Sequence, residues 1–158
     1  MKKQILTIIM CLLFYSCGFS PVYKDKKFSN FSISSIEFIG EKNINNIIKT
    51  NLFRYKDRTS EVNYRLKINT SYSKKILAKD ANGNPTNYEF GVSVNLKTFK
   101  ITNIGDEEAI ELNYSEKNNI KNEDNKINQK NYEKQIINNL ASTISRKIAF
   151  DLSNLYDN

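Results

Sequence analysis

A two-residue alternation at positions 64 to 72 constrains the fold of this chain more than any other feature. Aromatic, aliphatic or β-branched residues run from Tyr64 to Tyr72 at every second position, and polar residues such as Arg65 and Lys67 lie between them. Successive side chains of a strand point to opposite faces, so this pattern predicts a strand with one core face and one exposed face. Residues 80 to 85 contain Asn-Gly and Pro, which predicts a hairpin turn.

The segments after this turn predict two more strands. Alternating apolar residues in the return strand are Tyr88, Phe90, Val92, Val94 and Leu96. The alternation then changes parity at Phe99 and Ile101, for which we expect a β-bulge near Lys97 and Thr98. After a turn at residues 103 to 106, the apolar positions of a third strand are Ile110, Leu112 and Tyr114. The three strands are expected to form an antiparallel meander.

Helical periodicity flanks the meander. A first strand at about Ser32 to Ile39 precedes apolar residues at helical spacing from Ile44 to Tyr55, and a second such series runs from Ile137 to Leu155. The polar stretch at 117 to 129 predicts a connection or the start of the last helix. The predicted fold class is therefore an α+β two-layer sandwich, a mixed four-stranded sheet with two helices packed on one face, in the order strand, helix, strand, strand, strand, helix.

The N-terminus has the layout of a secretory signal. Two lysines precede an apolar stretch from Ile5 to Tyr15, which is shorter than the roughly 20 residues of a membrane-spanning helix. It ends in Leu13-Phe14-Tyr15-Ser16-Cys17, which resembles the bacterial lipobox. In that motif the thiol of Cys17 accepts a diacylglyceryl group, and Ser16 supplies the small residue that the signal peptidase needs.

These features predict three segments: a signal peptide at 1–16, a lipidated tether at 17–31 and a single domain at 32–156. The acyl chains on Cys17 are expected to anchor the mature protein in a membrane. Gly18 follows the cysteine, in place of the Asp that retains enteric lipoproteins in the inner membrane. We therefore expect a lipid-anchored protein on the periplasmic side of the outer membrane.

The composition disfavours several classes of function. The chain has no His, so the usual general base and the commonest metal ligand are missing, and we expect no catalytic residue, no metal site and no cofactor. The carboxylates of Asp106, Glu107 and Glu108 fall in a predicted turn without a recognisable catalytic frame. The formal net charge is +7, but without a clustered basic stripe, and in a secreted protein we expect no nucleic-acid partner.

The start of the predicted mature chain, Cys17-Gly18-Phe19-Ser20-Pro21-Val22-Tyr23, together with the order of elements, resembles the LPS-assembly lipoprotein (LptE) family. Members commonly begin with lipidated Cys-Gly-Phe, and alphaproteobacterial ones often continue with x-Pro-Leu-Tyr. The resemblance implies a protein that plugs the outer-membrane β-barrel translocon LptD, helps that barrel assemble and contacts lipopolysaccharide in transit, without catalysis. An alternative is another envelope lipoprotein, such as an auxiliary subunit of an ABC-type lipid transporter.

Candidate contacts for lipopolysaccharide are cations, because ammonium and guanidinium groups match phosphate. Arg65 and Lys67 share one predicted strand face, and Lys97 and Lys100 are placed on the neighbouring strand, so the hypothesis is that these four line a basic patch. The alternative is a solvated strand face with scattered lysines. Three tyrosines are candidates for packing either against a barrel wall or in the core: Tyr72, Tyr88 and Tyr114. Two lysines beside the hairpin tip, Lys74 and Lys75, are expected to be solvated.

Overall fold

The computed structural model describes residues 31–60, 62–102, 105–106, 109–122 and 125–155. The elements are β1 (Phe31–Gly40), α1 (Lys42–Leu52), a 3-10 helix (Phe53–Tyr55), β2 (Val62–Lys79), β3 (Pro85–Thr102), the two-residue β4 (Gly105–Asp106), β5 (Ile110–Lys121) and α2 (Lys126–Asn154). The predicted signal peptide, the lipidation site at Cys17 and the motif that follows it lie outside the described residues.

The strands form one mixed sheet. β1 pairs with β2 in parallel, while β2 with β3 and β3 with β5 are antiparallel, so the spatial order is β1-β2-β3-β5, and β4 pairs with the end of β3. The parallel pair is joined through α1, as a crossover connection requires. The predicted α+β class and element order are confirmed, with the 3-10 helix and β4 as additions.

The core lies between the sheet and the two helices. α1 buries Ile44, Ile48 and Leu52, which follow the helical spacing seen in the sequence. α2 buries a longer stripe: Ile136, Leu140, Ala141, Ile144, Ile148 and Leu152. The hydroxyl of Tyr64 donates a hydrogen bond to the backbone oxygen of Leu152 at 3.1 Å, which ties the centre of the sheet to the end of α2.

The predicted β-bulge near Lys97 and Thr98 is wrong. β3 pairs in unbroken register with β2 and β5 through these residues. Thr98 occupies a core position and is 2% exposed, while Phe99 lies on the opposite face of the sheet. Because Thr98 is polar but faces the core, the apolar alternation of β3 looks shifted by one residue in the sequence although the strand is regular. The described irregularity between β2 and β3 falls instead between Ile76 and Lys79.

Replacing the buried threonines Thr98 and Thr70 by valine is expected to change the free energy of unfolding in opposite directions. Among the described residues, the Thr98 hydroxyl has no hydrogen-bond partner, so Thr98→Val should raise the free energy of unfolding by about 1 kcal/mol. The Thr70 hydroxyl donates to Asn45 Oδ1 at 2.7 Å and accepts from the Glu41 N–H at 2.9 Å, so Thr70→Val should lower it by about 1 to 2 kcal/mol. Urea unfolding measures both, and equal changes in the two variants would contradict this assignment.

Candidate functional site

One face of the sheet is not covered by a helix of the described residues, and it carries three of the four predicted contact residues. Lys67 lies directly opposite Lys97 in the β2–β3 pair, with Arg65 two residues before Lys67 on the same face. Lys67 forms an ion pair with Glu37 at 3.3 Å, and Lys97 forms one with Glu111 at 3.4 Å. Two flanking carboxylates therefore balance the two central lysines.

The fourth predicted contact residue lies on the other face. Lys100 is directly opposite Tyr64, whose side chain is in the core, so Lys100 belongs to the helix side of the sheet. The prediction that Arg65, Lys67, Lys97 and Lys100 form one patch is wrong in this respect. The reason is the regular alternation of β3, because without the expected bulge Lys97 and Lys100 must point to opposite faces.

A cleft between the hairpin tip and the beginning of α2 offers a different cationic site. It has a volume of about 830 Å³. The hairpin supplies one wall, the end of β5 supplies Lys121 and Asn122, and the first turns of α2 supply Lys126 and Lys130. Two separate chain segments, the end of β5 and the start of α2, therefore bring three lysines to the border of one cavity. We call this site the lysine cleft.

Asp80 shapes the hairpin wall of the lysine cleft. Its Oδ1 accepts from the backbone N–H groups of Asn82 at 2.9 Å and Asn84 at 2.8 Å, and its Oδ2 accepts from the Asn84 side chain at 3.1 Å. These hydrogen bonds hold the pKa of Asp80 below its usual value, and the bond from the Asn84 side chain has the largest effect. Three N–H donors of the turn thus fix the orientation of the Asp80 carboxylate, which keeps its negative charge.

The opposite wall contains a second carboxylate with partners of its own. Glu133 forms an ion pair with Lys74 and accepts from Gln129 Nε2 at 3.2 Å. Lys74 Nζ lies 4.3 Å from the centre of the Tyr88 ring, a distance that allows a cation–π interaction. Lys74 is exposed, as predicted, and its ion pair with Glu133 also joins β2 to α2.

The three lysines define the chemistry of the lysine cleft. Within the described part of the chain, none of Lys121, Lys126 and Lys130 forms an ion pair, whereas both carboxylates of the lining are engaged by other groups. The ring of Tyr88 and the side chains of Asn122 and Gln129 complete the lining.

The lysine cleft was missed by reasoning from sequence. Residues 117 to 129 were predicted as a connection or helix start, and the Lys and Asn that dominate this stretch also occur throughout the chain. No local signal places Lys121 beside residue 130 or beside the hairpin tip.

The three candidate tyrosines all lie on the helix side of the sheet. Tyr72 stacks on Phe90 with ring centroids 6.2 Å apart, and Tyr88 meets the same ring at 6.1 Å. The Tyr114 hydroxyl donates to Asp151 Oδ2 at 2.8 Å. These contacts favour the interpretation that the tyrosines pack within the domain.

Tyr72 is expected to make the stability of the fold decrease at alkaline pH. Burial, and secondly the charge of Glu133, raise its pKa from 10.0 to about 12. Between these pH values the unfolded chain loses the phenolic proton before the folded protein does, so stability present below pH 10 is lost as the pH approaches 12. Comparison of urea unfolding for the native protein and Tyr72→Phe at pH 9 and 11 should show a smaller decline in the variant. Parallel declines would contradict the assignment.

The described residues provide no conventional metal site and no membrane-spanning helix. They contain no group of three His, Cys, Asp or Glu side chains placed to hold a metal ion. None of their helices combines the length and apolar character needed to cross a membrane. The three carboxylates of the predicted turn cannot be placed in a site. The described residues do not include Glu107 and Glu108, and of Asp106 they include only the backbone.

Solved structures of other proteins share this fold, among them three that are named as lipoproteins. The rare lipoprotein B from Shewanella oneidensis aligns with a TM-score of 0.59 at 10% identity, over 77% of this chain and 96% of that one. A protein named as a lipoprotein from Caulobacter crescentus aligns at 0.51 and 15% identity, over 82% and 92%. A minor lipoprotein from Acinetobacter baumannii aligns at 0.51 and 10% identity, over 77% and 90%. No protein-family model matches this chain, and no curated protein matches it.

Proposed function

We propose that this protein is an envelope lipoprotein, anchored through Cys17 on the periplasmic side of the outer membrane, that plugs and helps assemble an LptD-type β-barrel and contacts lipopolysaccharide during delivery. The observation that carries the proposal is the lysine cleft, on a domain whose fold is shared with three solved lipoproteins. The sequence Cys17-Gly18-Phe19 and the lipobox that precedes it support the anchor.

The lysine cleft suits the head group of lipopolysaccharide, which carries anionic groups on sugars. The ammonium groups of Lys121, Lys126 and Lys130 would bind these anions. The side-chain N–H of Asn122 donates to the Pro85 backbone oxygen at 2.9 Å, which leaves the Asn122 carbonyl to accept from a sugar hydroxyl. We therefore assign the ligand contact to the lysine cleft in preference to the uncovered sheet face.

The uncovered face of the sheet suits a position inside a barrel. Its middle rows are polar across three strands, because Asn95 lies between Asn69 and Asn113, and the row beside it consists of serines. The Asn95 side chain donates to Asn113 Oδ1 at 2.9 Å. The interiors of large outer-membrane barrels are polar and hydrated, so a polar sheet face can remain there without burying unpaired groups.

Mass spectrometry of the protein extracted gently from outer membranes tests this proposal. The expected result is a triacylated Cys17 and a barrel of the LptD type in stoichiometric amount. Co-purification of ABC-type transporter subunits in place of the barrel would favour the alternative role. A lipidated protein that never retains a barrel would overturn the plug assignment.

A further inference from the structure

The second half of β2 has an unpaired edge among the described residues, which begins where β1 ends at Gly40. The β1–β2 register ends at Gly40 and Thr70, whereas β2 continues along β3 from Ser71 to Lys79. Gly40 has a φ of +95°, which turns the chain out of the sheet and into α1. Within the described residues, nothing pairs with the other side of Ser71–Lys79, which we call the free edge.

Two apolar side chains are exposed on the free edge. Ile76 is 50% exposed and Leu77 is 49% exposed. The pairing with β3 shifts between Ile76 and Ala78, so Leu77 is the extra residue of a bulge. Alternate backbone N–H and C=O groups of such an edge point away from the sheet and are available to an added strand. The free edge thus combines backbone donors and acceptors with apolar anchors.

The charges on the free edge decide which strand fits. Its sequence, Ser-Tyr-Ser-Lys-Lys-Ile-Leu-Ala-Lys, contains three lysines and no carboxylate. Lys74 is engaged by Glu133, but Lys75 and Lys79 are exposed and form no ion pair within the described part of the chain. A second copy of the same edge would place like charges opposite one another, which is unfavourable. A strand with carboxylates would meet complementary charges.

We infer that the free edge of β2 accepts an extended strand from a partner protein in which acidic and apolar residues alternate. The added strand would extend the sheet next to β2, with its apolar residues against Ile76 and Leu77 and its carboxylates on the face that carries Lys75. This mode of recognition is β-strand addition, in which backbone hydrogen bonds give affinity and side chains give specificity. The inference goes beyond the proposed function and does not depend on what the lysine cleft binds.

The two other outer edges of the sheet differ from the free edge. The outer side of β1 receives the chain after the 3-10 helix, where the Asp57 N–H donates to the Ile33 backbone oxygen at 3.3 Å. β5 is flanked by α2 through an ion pair between Glu116 and Lys147. Its described residues include no large exposed apolar side chain. The combination of exposed apolar residues and lysines therefore distinguishes Ser71–Lys79.

A peptide titration of the full chain in detergent tests the inference. The probe is a fluorescent peptide of about seven residues in which glutamate and valine alternate, and its counterpart carries lysine in place of glutamate. We expect the acidic peptide to bind roughly ten-fold more tightly. Hydrogen exchange should show that binding protects backbone amides within residues 71 to 79. Absence of protection there, or equal affinity for both peptides, would overturn the inference.

Charge reversal provides the matched control. Lys75→Glu with Lys79→Glu should invert the preference between the two peptides, while Lys42→Glu with Lys49→Glu on α1 makes the same change in net charge and should leave it unchanged. Equal effects of the two pairs would show that net charge alone governs binding. Sedimentation analysis adds a second test, because a dimer that itself protects residues 71 to 79 would identify another copy as the occupant and overturn the inference.

Discussion

Replacement of Lys121, Lys126 and Lys130 by glutamine is expected to weaken binding of lipopolysaccharide by roughly 30-fold at low ionic strength. The three lysines line one cavity and form no ion pair within the described residues, and the lining carboxylate Glu133 is already paired with Lys74. Titration of the purified variant with purified lipopolysaccharide measures the loss. The affinity of the native protein should also fall with added salt.

A matched variant on the uncovered sheet face separates the lysine cleft from the patch predicted from sequence. Arg65→Gln, Lys67→Gln and Lys97→Gln together remove the same number of cations from exposed positions. We expect this variant to bind lipopolysaccharide within about three-fold of the native protein, since Lys67 and Lys97 already have carboxylate partners. A large loss in this variant, with none in the lysine cleft variant, would move the contact to the sheet face.

Gly40→Ala is expected to lower the free energy of unfolding by about 3 kcal/mol. A Cβ atom at this position would lie 1.9 Å from the backbone oxygen of Thr70, and the φ of +95° is unfavourable for any residue with a side chain. The clash is with backbone held in the β1–β2 register, so the neighbour cannot move aside without breaking the pairing. Thermal or urea unfolding measures the change.

Gly83→Ala is the control for Gly40→Ala. Gly83 also has a positive φ, of +85°, but a Cβ there would meet nothing within 4 Å. This variant should lose only about 1 kcal/mol, the cost of the backbone conformation. The difference between the two variants isolates the close approach at Thr70. Similar losses would show that Gly40 acts through its φ alone and that the clash is relieved.

The fold could be predicted from sequence where one periodicity persists along an element. The alternation around Tyr64 to Tyr72 and the helical spacing of Ile44, Ile48 and Leu52 place the sheet and α1 correctly, because burial of one face imposes the period directly. Prediction failed at Thr98, where a buried hydroxyl interrupted the apolar pattern without interrupting the strand. That error also misplaced Lys100.

The lysine cleft could not be predicted in the same way, because its parts are far apart in the chain. Lys74 and Glu133 meet only when α2 crosses the distal part of the sheet, and no local pattern reports the angle of that crossing. Lys121 and Lys126 flank a connection whose length alone does not fix where α2 begins. The sequence therefore predicts that cations contact the anionic ligand, but it does not show which lysines lie together.

Site-specific photo-crosslinking in living cells tests the central claim most directly. A photoreactive residue in place of Thr86 would lie in the lysine cleft, and one in place of Ser71 would lie on the uncovered sheet face. The account predicts a lipopolysaccharide adduct from position 86 and a barrel adduct from position 71. A lipopolysaccharide adduct from position 71 but none from position 86, in cells where the barrel adduct forms, would contradict it.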